Sequence, residues 1–169
     1  MNNTELIIQL NKVLDIKAIN EKIASNFVYL DDSTSEIEGG NYICNILSLK
    51  LKKTKTSKIM FTITYKIIKS ENNKYIGRII YFNRVIVGNK STEKWNDGKA
   101  LKSIIEYLFT LGYSIIFNGY EEFNNDLSII FEELKDKSIY ITYRPDAFTN
   151  ANVIGIRDKD GNVLKYEKE

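Results

Sequence analysis

The spacing of apolar residues predicts two helices at the beginning of the chain. Apolar side chains recur at helical spacing from Thr4 to Leu14, and a second, shorter helix is predicted from Lys17 to about Ser25. The stretch DDSTSEIEGG that follows is polar and acidic and closes with two glycines. We therefore expect a surface loop between these helices and the rest of the chain.

Three strands are predicted next. From Ile59 to Ile67 apolar and polar residues alternate with a period of two, as in a strand that buries one face. The segment Tyr42–Lys52 alternates less cleanly, and Tyr75–Val87 is long and rich in β-branched and aromatic residues. The polar connections KKTKTSK and SENNK are short, which predicts three consecutive antiparallel strands. Asn83 and Arg84 interrupt the alternation of the third strand and could mark a β-bulge.

The pattern then alternates between helices and strands. An apolar stripe at helical spacing runs from Leu101 to Leu111, with Asn96 or Asp97 as a good N-cap. The apolar run YSIIFNGY, residues 113–120, predicts a strand buried on both faces, and another helix is predicted from Asn124 to Leu134. SIYITYR, NVIGIR and VLKY are predicted strands, the last two joined by an Asp-Gly hairpin.

This order of elements predicts the α+β class in a single domain that spans residues 1–169. A helix between Val87 and Ser114 is a crossover that can place its two flanking strands side by side in parallel. We therefore expect a mixed, mostly antiparallel sheet flanked by helices. A chain of 169 residues can bury roughly 70% of its unfolded surface without metals or disulfides.

Composition removes several kinds of chemistry. The chain has no histidine and one cysteine, Cys44, which excludes Cys/His metal sites, a catalytic histidine and a disulfide within the chain. Basic residues number 24 and acidic residues 22, so the net charge of +2 does not favour nucleic acid or a membrane as a partner. Neither a signal-peptide pattern nor an apolar run of roughly 20 residues is present, so we expect a cytoplasmic protein.

Two segments carry a family resemblance. WNDGKA opens the helix that follows the third strand, and NNDLSIIFEELKDK follows the run YSIIFNGY. With the order of elements, they resemble the GCN5-related N-acetyltransferase (GNAT) family, which binds acetyl-CoA on a loop of pattern Q/R-x-x-G-x-G/A. Gly98 and Ala100 match that loop, whereas Trp95 takes the place of Gln or Arg. In the second segment, Asn124 matches a family Asn, and Phe131 replaces a Tyr that often protonates the CoA thiolate.

The resemblance implies a GNAT-like order of elements, acetyl-CoA as cofactor, no metal, and an unknown amine as acceptor. The implied cofactor-binding residues are Val87, Lys94, Trp95, Asn96, Asp97, Gly98, Lys99, Ala100 and Asn124. A glycine lets backbone amides approach a phosphate at a helix start, although a well-capped helix explains the same residues. No catalytic residue is assigned: Glu121 and Glu122 are candidate bases, and Tyr81 and Tyr120 are candidate acids in place of the missing Tyr.

Two other hypotheses remain open. The chain can be a non-catalytic interaction protein, an inhibitor or immunity factor that masks a partner protein, because DDSTSEIE is acidic and KLKKTKTSK is basic. It can also bind nucleic acid through the lysine hairpin, residues 50–58, although a solvated turn explains the same lysines. We interpret Cys44 as a buried strand residue and DKDGN as a hairpin turn rather than a calcium loop.

Overall fold

The computed structural model describes residues 36–89, 91–92 and 94–166. The helices predicted within residues 4–25 lie outside the described residues. By its contacts the chain separates into two units, Met1–Ile37 and Glu38–Glu169, and the elements below belong to the second. The single domain expected over the whole chain stays a prediction.

Six strands and two α-helices form the described part of the second unit. The strands are β1 (Gly40–Lys53), β2 (Ile59–Lys69), β3 (Ile79–Val87), β4 (Ser138–Tyr143), β5 (Ala151–Arg157) and β6 (Val163–Tyr166). The helices are α1 (Asp97–Thr110) and α2 (Tyr120–Leu134), and a short 3-10 turn, Asn73–Tyr75, precedes β3. Within the described ranges, neither helix is long and apolar enough to cross a membrane.

The strands form one sheet in the order β3-β2-β1-β4-β5-β6, and every neighbouring pair is antiparallel. Both α-helices are inserted between β3 and β4, so the chain leaves one edge of the sheet and returns beside β1. The predicted α+β class and the three consecutive antiparallel strands are confirmed. The parallel pair expected across the crossover is not formed, because the chain enters a second helix before it returns to the sheet.

The strand predicted at residues 113–120 is wrong. Only its last residue, Tyr120, has regular structure, and that residue begins α2. The ring of Phe117 packs edge-on against Phe123 of α2, with 5.8 Å between centroids, whereas Ile116 is 80% exposed. The apolar run therefore anchors the start of a helix through one side chain instead of entering the sheet.

The inner face of the sheet holds the core. The buried stripe predicted for residues 59–67 is confirmed from Phe61 onwards, since Phe61, Ile63, Tyr65 and Ile67 are fully buried, whereas Ile59 is 37% exposed. Cys44 is likewise fully buried in β1, and burial raises the pKa of its thiol to about 12, which fits a packed strand residue and not a nucleophile.

The β-bulge predicted at Asn83 and Arg84 is not found at these residues, which pair with β2 in continuous register. The register between the two strands shifts nearer the end of β3, where Val85 and Val87 pair with the neighbouring residues Met60 and Ile59. The alternation of apolar and polar residues along β3 is interrupted at Arg84 because this charged residue faces the core, where it is 8% exposed.

Helix α1 contacts both β3, at one edge of the sheet, and β5. The ring of Tyr107 stacks on Phe82 of β3, with 3.9 Å between centroids and 14° between planes. Its hydroxyl donates to the carbonyl oxygen of Ala151 in β5 at 2.6 Å and lies 2.7 Å from the hydroxyl of Tyr65 in β2. Strands β3 and β5 are also in contact without being hydrogen-bonded neighbours. The sheet is thus curled so that its first edge approaches β5.

Candidate functional site

In the loop that was expected to hold a phosphate, the Asp97 side chain binds the backbone just after β3. The Asp97 carboxylate accepts hydrogen bonds from the backbone N–H groups of Asn89 at 2.9 Å and Gly88 at 3.3 Å. The bond from Asn89 and, less strongly, that from Gly88 lower the pKa of the Asp97 carboxyl. Asn96 caps α1, because its side-chain oxygen accepts from the Lys99 N–H at 3.0 Å. The structure thus gives this segment the geometry of a well-capped helix start.

Gly98 does not need to be a glycine in this conformation. It lies in the first turn of α1, and a Cβ atom placed on it would meet only the Asn96 side-chain oxygen, at 3.4 Å. Of its neighbours, Lys94 and Lys99 are exposed, whereas Ala100 is buried against the sheet. No described contact makes Gly98 the floor of a phosphate cradle.

The remaining residues of the predicted cofactor site are spread over different elements. Val87 ends β3 and is half-buried, and Asn124 is exposed on α2. Trp95 does have defined partners: its indole N–H donates to the Asn89 side-chain oxygen at 3.4 Å, and its ring contacts Phe148 edge-on at 5.1 Å. Trp95 therefore packs against the loop between β4 and β5, residues 144–150.

The candidate acids and bases are equally dispersed. Glu121 and Glu122 are exposed in the first turn of α2. Burial raises the pKa of Tyr120 at the start of the same helix. Tyr81 lies on β3, where it is 54% exposed. Among the described residues, no group of three Asp, Glu, Cys or His side chains could hold a metal ion.

The outer face of β1, β2 and β3 has a distinct composition. We call this surface the lysine face. Its residues are Ser48, Lys50 and Lys52 of β1, Met60, Thr62, Thr64 and Lys66 of β2, and Tyr81, Asn83 and Val85 of β3. Among them, Thr62 is buried, at 3% exposure. All seven charged residues between Gly40 and Lys69 are lysines, and β3 carries no acidic residue either. The face therefore combines cations, hydroxyl and amide groups, and one exposed aromatic ring.

Cross-strand pairing aligns these side chains in rows. One row joins Ser48, Thr64 and Tyr81, and the next joins Lys50, Thr62 and Asn83. Hydrogen bonds tie the rows internally, since Ser48 and Thr64 share a bond of 2.6 Å and the Thr62 hydroxyl donates to the Asn83 side chain. The polar groups between the lysines and Tyr81 are therefore held in place by the sheet.

The lysine face has two borders. Beside β1 it meets α2, where Ser48, Lys50, Phe131 and Glu132 are among the residues that line a cleft of about 360 Å³. Beyond β3 it meets the loop 144–150. On the lysine face itself, within the described residues, no position is acidic, so Glu132 marks its boundary with the helix.

The loop 144–150 is fastened to the edge of β3. The Asn150 side-chain amide donates to the Tyr81 carbonyl oxygen at 2.8 Å, and an Arg84 guanidinium N–H donates to the Phe148 carbonyl oxygen at 3.0 Å. The guanidinium carbon lies 3.7 Å from the centroid of the Phe148 ring. Burial lowers the pKa of Arg84, yet an arginine remains charged at neutral pH.

A family model covers residues 11–134, from before β1 to the end of α2. Its description is "Protein of unknown function (DUF669)". The chain belongs to the DUF669 family. No curated protein matches the chain in sequence. The part of this DUF669 protein that matches includes the whole lysine face and both helices, whereas β4, β5 and β6 follow it.

Sequence reasoning missed the grouping of Tyr81, Arg84 and Phe148. The lysine hairpin was visible as a run of charge, but it is only one end of a longer face that includes Lys66 and Tyr81. The usable signal was the absence of acidic residues from all three predicted strands. Phe148 gave no signal, because nothing in its local sequence shows that it meets a residue 64 positions earlier.

Proposed function

We propose that this DUF669 protein binds single-stranded nucleic acid on the lysine face. The observation that carries the proposal is the content of that face: the exposed lysines Lys50, Lys52 and Lys66, the half-exposed ring of Tyr81, and no carboxylate among its positions. Lysines attract the phosphate backbone, and an exposed aromatic ring stacks on bases that are not already paired and stacked in a duplex.

The connectivity of the strands supports this proposal. A sheet in the order β3-β2-β1-β4-β5, with helices between β3 and β4 and with β3 curled towards β5, is similar to the OB fold, a partly open five-stranded barrel. In OB folds the face of the second and third strands and the loops after the first and fourth strands bind oligonucleotides. The corresponding parts here are the lysine face, the lysine hairpin and the loop 144–150. The similarity of fold supports the proposal, but the proposal rests on the residues of the lysine face.

The proposal departs from the expectation based on net charge. A net charge of +2 averages the lysines of β1 and β2 with acidic residues that lie elsewhere in the sequence. Binding of a polyanion depends on the local potential over the contact surface and not on the molecular total. A chain with nearly balanced charge can therefore present a strongly basic face.

A pair of matched triple variants tests the proposal. In the first, Lys50, Lys52 and Lys66 are changed to Gln; in the second, the exposed lysines Lys102, Lys135 and Lys159, which lie outside the face, are changed to Gln. Both variants lose three positive charges. A loss of affinity that occurs only in the first variant is therefore due to the position of its lysines on the lysine face. Affinity for fluorescein-labelled oligothymidine and oligouridine of about 16 nucleotides is measured by anisotropy.

We expect the first variant to bind more weakly and with a smaller salt dependence than the second. Each phosphate contact that is lost reduces the slope of log K against log salt by about 0.7 on a single strand, so three contacts reduce it by about 2. Comparing the affinities for oligothymidine and oligouridine shows whether the protein prefers DNA or RNA. Equal binding by both variants, or no binding by the unmodified protein, would contradict the proposal.

The acyl-CoA and protein-masking hypotheses stay predictions. The GNAT-like arrangement needs a strand after α1 that parts from the preceding strand, and residues 113–119 form no strand. The Asn96 side chain also accepts from the Lys99 N–H, one of the helix-start amides to which a phosphate would bind, and Asp97 places a carboxylate in the same first turn. A thermal shift with acetyl-CoA at millimolar concentration, run on the same preparation, tests the cofactor directly: a rise of several degrees would favour the acyltransferase over nucleic-acid binding.

A further inference from the structure

Phe148 presents a largely exposed aromatic ring, and the Arg84 guanidinium lies over one of its faces. It is 63% exposed on the loop 144–150. The Arg84 guanidinium lies 3.7 Å from its ring centroid, and Trp95 contacts it at 5.1 Å with 84° between the ring planes. An exposed phenylalanine with such support has a fixed orientation, which a free side chain on a loop lacks.

Arg84 is a buried cation whose charge is not paired with a carboxylate among the described residues. It is 8% exposed, and its guanidinium lies between the rings of Phe82 at 4.7 Å and Phe148 at 3.7 Å. Within the described residues it has no carboxylate partner, and its buried Nε–H has no hydrogen-bond acceptor. Burying a cation without a compensating anion costs stability, and the contacts that offset this cost are with the two rings and with the loop 144–150.

Within the described part of the chain, the hydrogen bonds that Arg84 makes are directed to one loop. One N–H donates to the Phe148 carbonyl oxygen at 3.0 Å, and another lies 3.5 Å from the Thr149 hydroxyl oxygen. Asn150 fastens the same loop to the carbonyl oxygen of Tyr81, the aromatic residue of the lysine face. Phe148 and Tyr81 are thereby held at the same edge strand, β3.

We propose that Phe148 is a second base-stacking position for the strand that binds the lysine face, and that Arg84 is the positioning residue that holds its ring. This inference rests on the proposed function and extends the bound strand from Tyr81 over the edge of β3. A base stacked on the open side of Phe148 continues the Arg84–Phe148 stack, while the lysines hold the phosphates on either side of Tyr81.

The variant Phe148→Ala tests the position, with Phe109→Ala as its control. Phe109 is 64% exposed on α1, so the two changes remove the same side chain from surfaces of equal exposure. We expect Phe148→Ala to weaken binding of oligothymidine of about 16 nucleotides by roughly 5- to 100-fold, and Phe109→Ala to leave it unchanged. Equal affinity of the Phe148→Ala variant and the unmodified protein would overturn the inference.

Trp95 offers a direct optical readout, because it is the only tryptophan of the chain and contacts Phe148. We expect its emission to change when the oligonucleotide binds to the unmodified protein. If anisotropy reports binding and Trp95 emission stays constant, the strand does not reach Phe148 and only this inference fails. If anisotropy reports no binding, the proposed function itself fails.

A double-mutant cycle tests the role of Arg84 separately from its effect on folding. Arg84→Lys keeps the charge but loses the planar group that stacks on the ring. If Arg84 acts through Phe148, the Arg84→Lys substitution weakens oligonucleotide binding in the otherwise unmodified protein. The same substitution then causes no further loss of affinity in the Phe148→Ala variant. Additive losses in the two backgrounds would overturn the positioning role. Circular dichroism confirms that each variant is folded.

Discussion

The hydroxyl groups of Tyr65 and Tyr107 share a buried hydrogen bond of 2.7 Å, and its direction follows from the next bond in the chain. Tyr107 has one hydroxyl proton, which it donates to the Ala151 carbonyl oxygen at 2.6 Å. Tyr65 must therefore be the donor to Tyr107. The relay connects β2, α1 and β5, so it fixes the curl that brings β5 towards β3.

This direction predicts unequal effects of two similar substitutions. Tyr107→Phe leaves both the Ala151 carbonyl and the Tyr65 hydroxyl without their partner, so we expect a loss of about 2–3 kcal/mol in the free energy of unfolding. Tyr65→Phe leaves the bond to Ala151 intact, so we expect a loss of about 1 kcal/mol. Urea denaturation measures both. A larger loss for Tyr65→Phe would contradict this assignment of donors.

Gly98 provides a test of the loop that was first expected to bind a cofactor. Because Gly98 is helical and has room for a Cβ atom, we expect Gly98→Ala to raise the free energy of unfolding by about 0.5 kcal/mol. Gly112 is the matched control, since its space is also open but its φ of 97° disfavours any side chain, and Gly112→Ala should destabilise the protein. Thermal unfolding measures both. A destabilised Gly98→Ala variant would restore the idea that this glycine permits a close backbone approach.

The strands were largely predictable, because burial of one face imposes a period of two that a single sequence displays. The failure at residues 113–120 has a physical cause: a short apolar run satisfies a buried strand and a helix anchor equally well, and only the tertiary position of Phe123 decides between them. The cofactor site predicted in the loop before α1 has a related explanation. A helix start that binds a phosphate and one that is capped by Asn96 have the same sequence signals, and only the structure shows that Asn96 accepts from the Lys99 N–H.

The candidate site was half visible in the sequence. Lysines with no intervening acidic residue can be counted, so the basic character of β1 and β2 was available. Which lysines share a face with Tyr81 depends on strand register, including the irregularity between Ile46 and Ser48, and no local pattern reports it. The contact of Arg84 with Phe148 depends on the curl of the sheet, which follows from the packing of α1.

The bonds of Asp97 predict a stability that depends on pH. Its pKa is lowered in the folded protein, so its contribution is present above the unfolded value of about 3.9 and is lost as the pH falls through the folded value. We expect Asp97→Ala to lower the melting temperature at pH 7, and the difference from the unmodified protein to shrink towards about pH 3. The exposed Asp146 gives a control, Asp146→Ala. A difference that is constant with pH would mean that Asp97 acts through its shape and not its charge.

Substitutions of Tyr81 distinguish stacking from hydrogen bonding as its role on the lysine face. Its side chain is 54% exposed, and its backbone carbonyl oxygen accepts a hydrogen bond from the Asn150 side-chain amide. We expect Tyr81→Ala to weaken binding of single-stranded oligonucleotides by about 1–3 kcal/mol and Tyr81→Phe to bind almost as well as the unmodified protein, because the ring supplies the stacking surface. Tyr120→Ala, which removes a half-exposed tyrosine from α2, controls for the loss of an aromatic side chain. If Tyr81→Phe binds as poorly as Tyr81→Ala, the phenolic hydroxyl makes the contact; if neither differs from the unmodified protein, the strand does not cross β3.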